Sequence, residues 1–217
     1  MNPSDVVIES VLNRIYNDGR GHDARQTEQS QKFLNITPST GRFLELLIEE
    51  QRPRRILEIG TSNGYSTLWL ARAGLACNAQ VDSVDHNARK HELAAENLLS
   101  CQLSGDVRLH TMEAGEFLKQ APPGHWDFIF LDSDRSQYAA WWTDIQKLWG
   151  DGVIVCNNAV SDASELQPFL TKIDADPSLE RTVLTIGNGQ LLIRRRPQTD
   201  FSQNMVNGLP LITPGMP

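Results

Sequence analysis

Residues Arg55 to Gly74 read RILEIGTSNGYSTLWLARAG. The run Ile56, Leu57 and Ile59 is short, partly β-branched and stopped by Gly60, while Ser66 to Ala73 is rich in helix formers. Strand, tight turn, helix is the natural assignment. In an open α/β sheet, that corner is where ligands sit.

Glu58 precedes the turn, and the glycines fall as E-x-G-x-x-x-G, which is neither G-x-G-x-x-G nor G-x-x-x-x-G-K-[ST]. No Lys follows to hold a phosphate. A carboxylate here would repel a pyrophosphate on the helix N-terminus but suits a ligand carrying an ammonium or sulfonium. That points to S-adenosylmethionine. The plainer alternative makes Gly60 and Gly64 turn residues only, with Glu58 ending a surface-exposed strand.

Outward from this corner the alternation continues. Val81–Asp85, Val107–Thr111, Trp126–Asp132 and Gly152–Cys156 read as strands, each followed by a helical stretch: 88–100, 113–120, 137–149 and 163–173. Then Thr182–Ile186 and Gln190–Arg194, joined around G-N-G, read as a hairpin. Five strand-helix repeats closed by a hairpin predict an α/β fold with a mostly parallel sheet and one reversed strand. Residues 1–50 read as a helical preface to the same domain, with helices at Val6–Tyr16 and Gly41–Glu50. Residues 51–196 form the ligand-binding part, and 197–217 are a tail rich in Pro, Gly and Asn.

Composition narrows the function. The 217 residues suit one domain with a full core, and a net charge of −7 leaves no basic stripe for nucleic acid. Cys77, Cys101 and Cys156 are scattered, without C-x-x-C, so neither a disulfide framework nor a zinc site is expected. No run is long and apolar enough for a membrane span, and the N-terminus lacks a signal-peptide pattern. A cytoplasmic protein is expected.

Asp85 closes the second strand about twenty-five residues after the turn, the place from which a carboxylate reaches a ribose diol; the alternative is a cap for the helix near Ala88, a job Asn87 could share. Parallel strands would bring Glu58, Asp85, Ala114, Asp132 and Asn158 to one edge of the sheet.

These residues resemble the class I S-adenosylmethionine-dependent O-methyltransferases of the catechol and caffeoyl-CoA type. The resemblance spans about Ile36 to Arg195 and rests on ITPSTGRFLELL, LEIGTSNGYSTLWLA, SVDHN, WDFIFLDSDRSQY, GVIVCNNAV and IGNGQLLI in that order. It implies a Rossmann-like methyltransferase fold, a seven-stranded sheet with helices on both faces, and a homodimer. It also implies S-adenosylmethionine binding by the backbone around Ile36 together with Glu58, Gly60, Thr61, Ser66, Asp85, Ala114 and Asp132. The implied activity is methylation of a hydroxyl on a small, aromatic metabolite, with Asp132 and Arg135 as catalytic residues.

The family usually sets a magnesium ion between an Asp after the fourth strand and an Asp-Asn pair after the fifth, with a Lys three residues past the first Asp. The corresponding positions here are Asp132, Asn157 and Asn158, and Arg135 stands in place of the Lys. An amide replaces one ligand carboxylate, so weaker magnesium binding is expected. Arg135 cannot act as a base, since its pKa exceeds about 12, but it could pair with an anionic acceptor. A polar turn at Asn157 and Asn158, and a helix cap with local ion pairing at Asp132, Asp134 and Arg135, are the structural alternatives. Two further functions stay open: a metal-independent methyltransferase with an acidic acceptor, and a catalytically silent S-adenosylmethionine-binding protein.

Overall fold

The computed structural model describes residues 3–197; all of the expected tail beyond Pro197 lies outside the described residues. The chain runs α1 (Pro3–Asp23), a 3-10 turn (Gln29–Gln31), α2 (Pro38–Gln51), β1 (Arg55–Ile59), α3 (Tyr65–Cys77), β2 (Gln80–Asp85), α4 (Ala88–Ser100), β3 (Val107–Thr111) and α5 (Ala114–Gln120). It continues with β4 (Trp126–Leu131), a 3-10 turn (Arg135–Gln137), α6 (Tyr138–Leu148), β5 (Trp149–Asn157), α7 (Ala163–Asp174), β6 (Leu179–Leu184) and β7 (Gln190–Arg195).

The seven strands make one sheet in the order β3-β2-β1-β4-β5-β7-β6. β1 to β5 are mutually parallel and β7 is antiparallel to both of its neighbours. This is the expected mostly parallel sheet with a C-terminal hairpin. Strand order reverses between β1 and β4, so the crevice for a ligand opens beyond their carboxyl ends.

Two apolar layers cover the sheet. One gathers Ile8, Leu12 and Ile15 of α1, Leu44 and Ile48 of α2 and Leu68 of α3 against Ile56 and Phe128. The other packs Phe117, Tyr138, Trp142 and Phe169 of α5, α6 and α7 against Leu57, Ile129 and Ile154. Adjacent strand residues point to opposite faces, which is why Ile56 and Leu57 belong to different layers. β1 is buried on both sides from Ile56 onward, with Ile56, Leu57 and Ile59 filling both faces and Glu58 the one polar residue among them.

The preface differs from the sequence reading in length. α1 continues through Gly19 and Gly21 to Asp23, where a helix ending at Tyr16 was expected. A side chain at Gly19 would meet the Asn35 amide at 2.4 Å, so the glycine lets the loop before α2 pack against the helix. α2 starts at Pro38, three residues earlier than read; Thr37 caps it by accepting from the Thr40 N–H, and Pro38 occupies the first turn. β5 begins at Trp149 rather than Gly152, across a register irregularity opposite Trp126 and Phe128. The first hairpin strand is displaced too, running from Leu179 to Leu184.

Candidate active site

Glu58 lies inside β1 and is fully buried, which overturns the alternative of a surface strand end. Its Oε2 accepts hydrogen bonds from Thr67 Oγ1 and Ser83 Oγ, both at 2.5 Å. Its Oε1 is buried and makes no hydrogen bond of normal geometry, although the Ser66 hydroxyl is near enough to act on the carboxyl. Burial pushes the carboxyl up to about 7, while the hydroxyls of Ser66, Ser83 and Thr67 pull the other way and Asp132 adds slightly to the rise. An unpaired buried acceptor of this kind is complementary to a cationic donor.

The glycine turn lies beside it. Gly60 has φ +112° and Gly64 φ +82°, conformations that glycine adopts without penalty. A Cβ at Gly60 would lie 2.2 Å from the Asp132 carbonyl oxygen, and one at Gly64 would lie 2.9 Å from Ala94 on α4. Both glycines are demanded by close approach of the protein to itself.

Asp85 closes β2 and binds two backbone N–H groups, that of Ser62 in the glycine turn and that of Asn87, each at 2.9 Å. The cap of α4 is Asn87, which accepts from the Lys90 N–H. Asp85 therefore ties the turn to the β2 end instead of capping the helix. The segment around Ile36 reaches the same place: Ser62 Oγ donates to the Phe33 carbonyl at 2.9 Å, and Lys90 Nζ donates to the Lys32 carbonyl at 2.7 Å. Ile36 itself is buried. Ala114 opens α5 after β3, and Ser66 is buried in the first turn of α3.

Thr61 is also buried, but its hydroxyl faces inward, 2.6 Å from Ser83 Oγ and 2.9 Å from His91 Nε2. His91 Nδ1 lies 2.7 Å from Thr111 Oγ1. A chain of hydrogen bonds thus links Glu58 through Ser83 and Thr61 to His91 and Thr111. Burial pushes the His91 pKa below its ordinary value, in the direction that favours the neutral ring.

Across the crevice, Asp132 follows β4. Asn157 Nδ2 donates to its Oδ1 at 3.0 Å, and Asn157 Oδ1 accepts from Gln190 Nε2 at 2.8 Å. Burial lifts the Asp132 carboxyl to about 6, against the pull of Asn157 and Arg135. Asn158 has φ +62°, and its Oδ1 accepts from Asn188 Nδ2 at 3.2 Å. Arg135 packs against the start of α7, with Nη2 3.2 Å from Asp162 and Nε 3.1 Å from Glu165.

These residues do not fit the magnesium that the resemblance implies. A hard divalent cation takes oxygen ligands, largely carboxylates. Here Asp132 is the single carboxylate of the three, Asn157 turns an N–H toward it, and the Asn158 oxygen is engaged with Asn188. Among the described residues, no group of three or more His, Cys, Asp or Glu is placed to hold a metal.

Backbone strain marks the same edge. Among the described residues six non-glycine residues have positive φ; Arg52, Asn78 and Gln102 lie just past helix ends, where this conformation is routine, and the other three are Leu34, Ser62 and Asn158. Those three lie on loops around the crevice, as strained residues at functional sites often do.

Thr67, Ser83, His91, Thr40 and Gln190 escaped the sequence reading. Ser83 had no distinct signal, being one of four polar residues in the strand QVDSVD. His91 shares the buried face of α4 with Ala94 and Leu98 at helical spacing. Gln190 begins a strand otherwise apolar through Ile193.

The sheet order, the reversed seventh strand and the acid-glycine corner define an α/β methyltransferase architecture. The family model described as "O-methyltransferase" matches residues 20–196. The catechol O-methyltransferase of Niastella koreensis is 31% identical over 149 residues, 67% of this chain and 67% of that protein. The caffeoyl-CoA O-methyltransferase of Populus kitakamiensis is 25% identical over 185 residues, 75% of this chain and 78% of that protein. The solved O-methyltransferase of Bacillus cereus in complex with S-adenosylhomocysteine matches with a TM-score of 0.70 and 28% identity, covering 90% of this chain and 93% of that one. The chain belongs to the O-methyltransferase family of the catechol and caffeoyl-CoA type. Among the described residues no helix is long and apolar enough to cross a membrane.

Proposed function

We propose that the chain transfers the methyl group of S-adenosylmethionine to a hydroxyl of a small aromatic metabolite. The observation that carries this reading is the Glu58 carboxylate, fully buried behind the glycine turn with Oε1 unpaired. The positive end of the cofactor's methionine supplies the missing partner. Asp85 and the turn it braces hold the ribose, and the Ala114 backbone borders the base.

In the transfer step the bond between sulfur and the methyl carbon breaks, its electron pair returns to sulfur, and the acceptor oxygen bonds the methyl group. The hydroxyl proton leaves to Asp132 and then to water. Such a displacement depends mainly on in-line alignment and a deprotonated acceptor. No divalent ion enters the step, because the donor set does not favour one.

The second reading, a metal-independent enzyme whose Arg135 grips an acidic acceptor, gains support in its first half from Asn157. Its second half meets an obstacle, since Asp162 and Glu165 already occupy Arg135. Turnover of a panel of phenols and aromatic acids, with magnesium and with a chelator, tests these readings together. Methylated phenol in the presence of chelator is expected. Binding of S-adenosylmethionine without turnover of any acceptor would favour the catalytically silent protein.

A further inference from the structure

The amides beside Asp132 point one way, and a backbone carbonyl sets the direction. β5 and β7 pair Asn157 with Gln190. Gln190 is fully buried; its Nε2 lies 2.8 Å from Asn157 Oδ1, 3.3 Å from the Ile186 carbonyl oxygen and 3.3 Å from Thr40 Oγ1. The Ile186 oxygen can only accept, so the Gln190 NH₂ must face it. Asn157 must then turn its oxygen to Gln190 and its NH₂ to Asp132.

Turning both amides over would set Gln190 Oε1 against the Ile186 oxygen and Asn157 Oδ1 against the Asp132 carboxylate. The observed direction leaves Gln190 Oε1 buried without a partner, an arrangement that is unfavourable by itself. It is the better of the two, because the reverse loses the Ile186 bond and brings acceptors face to face in two places.

We infer that Gln190 makes this crevice metal-free: through Asn157 it fixes an N–H donor against Asp132, where a divalent cation would require an oxygen. The inference rests on the reading of Asp132 as the carboxylate at the acceptor side of the methyltransferase site. To bind there, an ion would have to overturn both amides, with one carboxylate to reward it. The Asn157 N–H meanwhile supplies Asp132 with the hydrogen bond that replaces the ion. Gln190 thus acts as a positioning residue, two hydrogen bonds removed from the carboxylate.

Manganese is the probe, followed by the paramagnetic resonance signal of the free ion in titrations of the intact protein, alone and with S-adenosylhomocysteine. Wild type should bind no stoichiometric manganese below the millimolar range. Asn157→Asp keeps an acceptor for Gln190 and turns a carboxylate oxygen to Asp132, so it should gain one site at least tenfold tighter, lost again on adding Asp132→Asn. Gln190→Met, close in shape and unable to donate, frees Asn157 to turn its oxygen inward, and should gain a weaker site.

Stoichiometric manganese binding by wild type that disappears in Asp132→Asn would overturn the inference. So would failure of both Asn157→Asp and Gln190→Met to bind the ion, which would place the barrier elsewhere. Gain in Asn157→Asp but none in Gln190→Met would remove Gln190 from the account. Calorimetric binding of S-adenosylhomocysteine, measured on the same samples, bears on the methyltransferase reading separately, so the two can fail independently.

Discussion

Gly60 and Asp132 meet backbone to backbone across the crevice: a Cβ on Gly60 would lie 2.2 Å from the Asp132 carbonyl oxygen. The Asp132 N–H in turn donates to the Ile59 carbonyl at 2.9 Å. The ends of β1 and β4 are thereby locked together at the point where strand order reverses. Gly60→Ala should destabilise the protein by about 2 kcal/mol or more, combining overpacking with a strained backbone. Urea denaturation checks this, and a wild-type midpoint would contradict it.

Asp85 holds the glycine turn through Ser62 and the start of the α4 segment through Asn87. Asp85→Ala should lower stability by about 1–2 kcal/mol and weaken S-adenosylhomocysteine binding by about 1.5–3 kcal/mol, the range for hydrogen bonds to a charged group. Melting and calorimetry on the same variant separate the two effects. Lost stability with unchanged affinity would leave Asp85 as a brace alone.

The parallel framework and the strand-end acids were legible because the central strands β1, β4 and β5 are mainly apolar, buried runs that stop at Gly, Asp or Asn, and parallel strands deliver their ends to one edge. What the pattern could not convey was direction and engagement. Nothing in NNAV shows that Asn157 presents nitrogen rather than oxygen to Asp132, since Gln190, 33 residues later, decides it. Likewise nothing in SDRSQ shows that Arg135 is held by Asp162 and Glu165 from α7. Gly60 and Gly64 were legible as turn residues, but not the close approach of β4 and α4 to them. The α1 extension was missed because the stretch after Tyr16 is polar and contains Gly19 and Gly21, while the packing of Gly19 on Asn35 favours a bare backbone there.

Glu58 makes stability fall with rising pH. Its carboxyl moves from an ordinary 4.5 to about 7 in the fold, so between those values the folded state retains a proton that the unfolded state has released. Stability is therefore greatest below the unfolded pKa and declines by about 3 kcal/mol as pH rises through the folded one. Asp132, raised from 3.8 to about 6, acts in the same sense over a lower window. Melting of the ligand-free protein from pH 4.5 to 8 should show the decline, and Glu58→Gln should lessen its slope. A slope identical in the variant would contradict a protonated, buried Glu58.

Arg135 is tied to the α7 entrance, with Glu165 half-exposed and water screening the pair. Arg135→Gln should cost roughly 0–1 kcal/mol of stability and leave S-adenosylhomocysteine affinity unchanged. Steady-state kinetics with neutral and acidic acceptors then isolate its role at the acceptor. A rise in KM confined to acidic acceptors would restore Arg135 as an anion-binding group, against the expectation of no selective loss.

The central claim is that Glu58 receives the positive end of S-adenosylmethionine, and calorimetry of S-adenosylhomocysteine from pH 6 to 8.5 tests it most directly. A cation beside Glu58 favours its ionised form, so binding below pH 7 must release the proton of a carboxyl whose pKa is about 7. Affinity should rise by up to about tenfold per pH unit below that value and level off above it. Glu58→Gln should flatten the rise and weaken binding at pH 8 by about 1.5–3 kcal/mol. One-to-one binding with this profile is the predicted result; no binding by wild type, or a Glu58→Gln variant that binds as wild type does across the range, would contradict it.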